Sequence, residues 1–553
     1  MQVSDIFRFK NAEIKALHLT WIAFFISFYV WFNMAPLASS MLRSVDWLTR
    51  DDIRLFAIAN VALTIPARII VGMALDRYGP RRVFSILMVL MAIPTFVFAF
   101  GDTREVLFMS RLVLSSIGAS FVVGIHMTAL WFKPRDIGFA EGFYAGWGNF
   151  GSAAAAITLP TIALTMFGGD DGWRYAIATS GVVMAAYGVF YWFAITDGPT
   201  ADTHKKPRKA SALEVSSWKD LVLLCIFTVP MVGILSILVY RVQIMGYIDP
   251  MTATFIYAAI AVIVTYQVWQ AIRVNLPILR RGVPEDDKYP FSSVAALNAT
   301  YFANFGAELA VVSMLPMFFE ETWGLTAAAA GLIAASFAFV NLFARPMGGL
   351  VSDRFGNRRF VMLAYMFGIA IGFVLMGLLN SNWPLIIAIA ITIMCSFFVQ
   401  GAEGATFGII PSIKRRVTGQ ISGMAGAYGN VGAVFYLFVF MFVTPQQFFF
   451  IIAAGAFISW LVCYFWLVEP EGGFGDEYVI SSVDREIARE AAEKKTAEAE
   501  IAEIFATSDK VELTERGGMV QIRAQFKSIE DLRAALRRAA SEPTPSTTPA
   551  KAT

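Results

Sequence analysis

Long apolar runs constrain this chain before any motif does. They recur from residue 15 to residue 467 with short polar interruptions. Each is near the 20 residues that cross a hydrocarbon core about 30 Å thick. In lipid the backbone must satisfy its own hydrogen bonds, and for runs of this length that means helices. The pattern predicts spans near 16–38, 53–74, 82–101, 107–131, 138–165, 173–195, 219–240, 252–273, 292–318, 327–350, 359–379, 383–411, 417–443 and 447–467. Only 16% of the residues are charged, against about 25% in soluble domains. The expected fold class is an all-α polytopic membrane protein embedded in a lipid bilayer. The first run continues into a full span with no small-residue cleavage site after it, which reads as a first helix rather than a removed signal peptide.

The fourteen spans divide as six, two and six. The expected domains are an N-terminal six-helix half (1–195), a basic linker carrying two extra spans (196–290), a C-terminal six-helix half (291–467) and a polar tail (468–553). Lys133 and Arg135, Lys205 to Lys209, Arg280 and Arg281, Arg358 and Arg359, and Lys414 to Arg416 sit in loops of one parity. The positive-inside rule then places these loops, and both termini, in the cytoplasm. The pair of extra runs reads as a hairpin beside the bundle, or as an amphipathic hairpin on the membrane surface. Tyr240, Arg241 and Asp249 favour a short external loop, and no substrate contact is expected there. In the tail, residues 484–505 read as a solvated helix, VELTERGGMVQIRAQF as a hairpin, SIEDLRAALRRAA as a capped helix and SEPTPSTTPAKAT as disordered. The tail is either a small module with a regulatory partner or a solvated extension.

Two arginines stand out. Arg68 lies in IPARIIVGMALDRYGPRR and Arg345 in LFARPMGGLVSDRFGNRR. Eight residues after each comes an Asp-Arg-x-Gly turn, Asp76-Arg77 and Asp353-Arg354. At roughly 1.5 Å per residue that is about 12 Å of helix, which puts both arginines near the membrane midplane. Charge at that depth is costly and marks a substrate or ion path. AGWGNFGSA, from Ala145, and AGAYGNVGA, from Ala425, repeat in the same order as the two arginine motifs. Two related six-helix halves with a site between them are the pattern of a transporter built from two repeated halves. An enzyme is not expected, because no nucleophile–base cluster or phosphate loop is present. The cysteines Cys225, Cys395 and Cys463 have no metal-ligand spacing. No cofactor, metal or nucleic-acid partner is expected.

The Asp76-Arg77-x-Gly79 and Asp353-Arg354-x-Gly356 turns resemble the loop signature of the major facilitator superfamily, over the twelve-span body. A closer resemblance is to its nitrate/nitrite porter family. FFISFYVWFNMAPL in the first span, GFYAGWGNFGSA in the fifth, EGATFGIIPSIKRR, and GQISGMAGAYGNVGA in the thirteenth carry it. The resemblance implies the major facilitator fold, with Asp76, Arg77, Asp353 and Arg354 as gating residues. It implies nitrate or nitrite held by Arg68 and Arg345, and a planar guanidinium fork can meet two oxygens of a planar anion at once. Asn149 is expected to reach the anion more directly than Asn430. Phe28 and Tyr301 are expected to wall the pocket, with Phe121 a secondary candidate. Gly146, Gly148, Gly426 and Gly429 allow backbones to approach the substrate or simply each other. The two additional spans depart from the twelve-span pattern.

Coupling needs a titratable group. Glu308 and Glu403 are carboxylates inside predicted spans, and such groups are by default functional. Glu308 resembles an acidic position of the plant-type, proton-coupled branch. Either residue could instead simply pair with an arginine. His126 also titrates near neutrality, though a lone helix histidine is more often a packed polar group. The expected function is alternating-access, proton-coupled nitrate uptake, with nitrite as a second substrate. The alternatives are nitrate/nitrite exchange, transport of another small anion, and nitrate sensing.

Overall fold

The computed structural model describes residues 6–132, 134–198, 212–414, 417–469, 481–483, 485, 486, 489, 508–516 and 519–526. They divide into two compact units, one within 1–283 and 288–478 and the other within 284–287 and 479–553.

In the larger unit fourteen helical stretches are long and apolar enough to cross a membrane. The N-terminal half comprises span 1 (Ala12–Ser44), span 2 (Arg50–Gly72), span 3 (Pro80–Phe100), span 4 (Arg104–Thr128), span 5 (Ala140–Phe167) and span 6 (Gly172–Ala194). The central pair is span 7 (Trp218–Ile244) and span 8 (Pro250–Arg281). The C-terminal half comprises span 9 (Phe291–Trp323), span 10 (Ala327–Ser352), span 11 (Arg358–Gly377), span 12 (Leu385–Ile410), span 13 (Thr418–Phe440) and span 14 (Pro445–Trp466). The number and order match the apolar runs of the sequence, and the boundaries move by a few residues.

The internal repeat survives in the backbone. The helix of span 2 breaks at Leu63, between Arg50–Ala62 and Thr64–Tyr78, and that of span 10 breaks at Val340, between Ala327–Phe339 and Asn341–Arg354. Arg68 and Arg345 each follow their break by five residues. Each segment then ends at a loop glycine with positive φ, Gly79 at 80° and Gly356 at 76°, a region that only glycine enters at no steric cost. At the next helix start the exposed N–H groups meet a carboxylate from the end of the same half. Asp197 accepts from the Arg81 N–H at 2.6 Å, and Glu469 accepts from the N–H groups of Arg358 and Arg359 at 3.0 and 2.8 Å.

Span 1 breaks at Trp31, where a buried arginine replaces the lost helix bonds. Arg111 donates to the Trp31 carbonyl at 2.6 Å and to Asn33 Oδ1 at 2.8 Å, and Asn60 adds a bond to the same carbonyl at 2.9 Å. Elsewhere glycines bring backbones together. A Cβ on Gly151 would lie 2.1 Å from the Phe25 carbonyl, and one on Gly306 would lie 2.8 Å from Gly432.

The central pair docks on both halves. Tyr428 of span 13 donates to the Phe227 carbonyl of span 7 at 2.6 Å. Between spans 7 and 8, Tyr247 donates to Asp52 at 2.9 Å, and at the end of span 7 Arg241 lies 4.0 Å from Asp51 and over the Phe442 ring. Span 8 is the most exposed, presenting Phe255, Val262 and Trp269 outward, as a lipid-facing helix would. Of the two readings left open by the sequence, the membrane hairpin fits this geometry.

On the face opposite the basic loops the two halves are tied directly. Ser39 donates to Glu320 at 2.6 Å, Arg43 pairs with Glu320 at 3.4 Å and Arg50 with Glu321 at 2.8 Å. Arg54 donates to the Met441 carbonyl at 3.3 Å.

In the smaller unit Ser481 donates to Asp287 at 2.6 Å, and Ser482 donates to Asp286 from its N–H and hydroxyl. Strand β1 (Ser508–Arg516) pairs antiparallel with β2 (Met519–Phe526), the hairpin read from the alternating tail sequence. The helix expected over 484–505 falls almost wholly outside the described residues. The one expected over 528–540 and the terminal Pro/Ser/Thr stretch lie outside them altogether.

Candidate functional site

Arg345 sits on span 10 and is 1% exposed. Its NH1 lies 2.7 Å from Glu403 of span 12 and 4.0 Å from Glu308 of span 9. Its NH2 donates to the Tyr301 hydroxyl at 2.8 Å. Glu308 in turn accepts from the Asn341 amide at 2.5 Å. The C-terminal half therefore holds one cation between two buried carboxylates, the pairing that the sequence left as one of two readings for each acid.

Arg68 is placed differently. It is also buried, at 7% exposure, but its cationic group lies over the Phe121 ring at 5.4 Å, and no carboxylate pairs with it among the described residues. Its Nε and NH1 have no hydrogen-bond partner. Leaving such donors dry and unpaired costs several kcal/mol in order of magnitude, which a bound anion would recover. Asn149 on span 5 is fully buried and both of its side-chain polar atoms lack partners. Asn430 on span 13 differs, because its amide already donates to the Gly426 carbonyl at 3.1 Å.

Aromatic rings connect the two arginines. Phe121, under Arg68, lies 5.8 Å from Phe407, which lies edge-on to Tyr301 at 5.3 Å. Tyr301 stacks on Phe305 at 5.0 Å, and Arg345 lies over that Phe305 ring at 5.7 Å. Phe121, secondary in the sequence reading, thus touches the site directly. Phe28 instead packs in span 1, against Phe24, Trp31 and Phe32.

The glycines separate into two groups. A Cβ on Gly426 would lie 2.7 Å from Arg68 NH1, and one on Gly146 would lie 2.6 Å from the Asn341 carbonyl, one turn before Arg345 on span 10. Gly426 makes room for the Arg68 fork, and Gly146 lets span 5 approach the backbone of span 10 that carries Arg345. A Cβ on Gly148 would enter the Phe24 ring and one on Gly429 the Phe305 and Tyr301 rings. Those two are packing positions, Gly429 against a ring of the site. Of the gating residues, Arg354 is exposed at the end of its helix, and the side chains of Asp76, Arg77 and Asp353 lie outside those described. His126 lies within span 4.

One carboxylate escaped the sequence reading. Glu141, on span 5, lines a small cavity of about 10 Å³ together with Phe121, Ile125, Arg345 and Phe407. The signal was available, because residue 141 falls inside the predicted span 138–165, and the rule that singled out Glu308 and Glu403 applies equally to it. The arrangement can bind a small anion between guanidiniums and exchange it against internal carboxylates. Among the described residues no three His, Cys, Asp or Glu side chains form a metal site.

Comparison with known proteins agrees with this architecture. The family model described as Major Facilitator Superfamily matches residues 20–282 and 297–489. The chain is 41% identical over 508 residues to a nitrate/nitrite transporter of Picosynechococcus, covering 84% of this chain and 95% of that protein. It is 41% identical to a nitrate/nitrite transporter of Nostoc punctiforme (86% and 96% covered) and 30% identical to a high affinity nitrate transporter of Arabidopsis thaliana (79% and 75% covered). Among solved structures, the xylose transporter of E. coli in a partially occluded, inward open conformation superposes with a TM-score of 0.56 at 14% identity, over 83% of this chain and all of that one. That likeness speaks for the fold alone. These relatives are transporters, and this chain is not an enzyme. With the paired halves, the repeated loop turns and a 41% identity over most of its length, the chain is an integral membrane protein of the nitrate/nitrite porter family of the major facilitator superfamily.

Proposed function

We propose that the protein carries nitrate, and nitrite with it, across the cell membrane by alternating access, as proton-coupled uptake with both termini in the cytoplasm. The observation that carries the reading is the buried fork of Arg68, whose Nε and NH1 are unpartnered, with the orphaned amide of Asn149 on span 5 as a second buried group left unsatisfied. Arg345 supplies the second fork once Glu403 releases it, and release is easiest when Glu403 takes a proton. Anion and proton then enter together, which is the physical basis of the symport. Asp76, Arg77, Asp353 and Arg354 are assigned to gating by their place in the repeated loops. The same distances support exchange only if Glu403 stays ionised throughout.

Uptake of labelled nitrate into proteoliposomes, with and without an inward proton gradient, tests the proposal. The wild type is expected to respond to the gradient. Arg345→Lys keeps the charge and loses the fork, and is expected to lose at least tenfold in uptake, the equivalent of about 1.4 kcal/mol. Uptake that needs internal nitrite and ignores the gradient would establish exchange. A folded wild type that moves no nitrate would remove the substrate assignment.

A further inference from the structure

Glu141 has no place in the anion site proper. It sits about one and a half turns, roughly 7 Å along the helix, from Gly146, which packs against Arg345. The displacement is toward the start of span 5, the basic-loop face. Among the described residues it has no hydrogen bond or ion pair, whereas Glu403 pairs with Arg345 and Glu308 is bonded to Asn341. Glu141 and Arg345 line the same cavity, whose volume of about 10 Å³ is the room one water requires.

The charged and titratable groups on the elements packed against span 5 are few. Span 1 contributes His18, whose nitrogens contact Trp21 and the Ile6 carbonyl, with Glu13 and Lys15 nearer its end. Span 4 contributes His126, with Arg104, Glu105 and Arg111 at its other end, and span 6 contributes Arg174 at its start and Tyr187 and Tyr191, bonded to Leu19 and Thr20 of span 1. Span 10 contributes Arg345, and span 12 contributes Glu403 at Arg345. Of these, Arg345 is the one that lines the cavity with Glu141.

From this placement we infer that Glu141 is the proton-release carboxylate of the transport cycle. The inference rests on the proton-coupled reading above. After the anion leaves Arg345, the proton on Glu403 passes through the cavity to the Glu141 carboxylate. Glu403 becomes a carboxylate again and re-pairs with Arg345. Glu141 then gives its proton to solvent at the basic-loop face. One proton moves and both acids end as they began. Glu141 carries the proton on its way out and does not touch the anion.

Glu141→Gln keeps the shape and removes the titration. In proteoliposomes it is expected to lower gradient-driven nitrate accumulation at least tenfold. The pH dependence of nitrate binding, read on detergent-purified protein, is expected to stay as in the wild type, since that proton enters at Glu403. Glu141→Asp is expected to recover at least half of the accumulation. Accumulation by Glu141→Gln within twofold of wild type would overturn the inference. So would loss of accumulation together with the pH dependence of binding, unrescued by Asp, because that pattern is structural damage. A wild type with no response to the gradient would sink the coupled reading itself, and is distinguished by needing no variant.

Discussion

Glu403→Gln is the sharpest perturbation of the site. Glu403 lies 2.7 Å from Arg345 and both side chains are at most 1% exposed. At an effective dielectric near 20, charges about 4 Å apart attract by about 4 kcal/mol. Removing one partner of such a pair strands the other, at a cost of about 3–5 kcal/mol. The variant is therefore expected to melt lower than the wild type without nitrate. Nitrate should restore much of the loss, since saturation at about 100 times Kd is worth roughly 2.7 kcal/mol by linkage. The more decisive readout is the slope of log Kd against pH. If binding requires one proton on Glu403, wild-type Kd rises about tenfold per pH unit where that acid is ionised, or 1.36 kcal/mol per unit. Glu403→Gln is expected to bind nitrate with a flat profile, because nothing competes for the fork. The assay is calorimetric titration of nitrate into purified protein across the neutral range, beside thermal unfolding with and without nitrate. A Glu403→Gln slope as steep as the wild type's would refute the reasoning, and the coupling proton would then belong to Glu308 or elsewhere.

Two further predictions use other parts of the structure. Gly426→Ala pushes on the flexible end of Arg68 and Gly404→Ala on the Arg345 carbonyl, 1.9 Å from the new Cβ; overpacking against fixed backbone costs about 1–3 kcal/mol. Gly426→Ala is therefore expected to weaken nitrate binding severalfold at nearly unchanged melting temperature, and Gly404→Ala to lower both, as thermal shift and binding assays would read. At the start of span 8 the Thr252 hydroxyl, then the N–H groups of Thr252 and Met251, hold the Asp249 carboxyl below its ordinary value of 3.8. A depressed carboxylate stabilises fully above that ordinary value and loses its effect as pH falls through the lower folded one. Asp249→Ala is thus expected to speed amide exchange in the first turn of span 8 at neutral pH and to make little difference in strong acid.

The fold was legible because lipid leaves few options. Apolar length gave the spans, and a repeat of two motifs in order gave the halves. The two arginines were legible because charge at the midplane is rare, and so were Glu308 and Glu403. Other parts depend on spatial partners that spacing does not carry. Whether Glu403 or Glu308 takes Arg345 is decided by where spans 9 and 12 cross span 10. Phe121 reached Arg68 because the break after Leu114, a short tight turn over Ser115–Ala119, rotates the helix that follows. Arg111 reads in sequence as a stray charge, and its purpose appears only with the broken end of span 1 beside it. Glu141 was visible but lay near the edge of its run, where charge excites no suspicion.

The ties across the face opposite the basic loops have a kinetic consequence. Arg43 and Arg50 are 58% and 65% exposed in their pairs with Glu320 and Glu321, and exposed pairs contribute at most about 1 kcal/mol each. Together they amount to at most about 2 kcal/mol, a bias of no more than roughly thirtyfold in population, small enough for a ligand's differential affinity to reverse. Such pairs are also screened, with a Debye length near 8 Å at physiological ionic strength. On the alternating-access proposal, the resting balance between conformers, and with it the turnover rate, would be set partly by the salt bathing that face. On the same proposal, solutions of different ionic strength would find the same protein idling in different proportions.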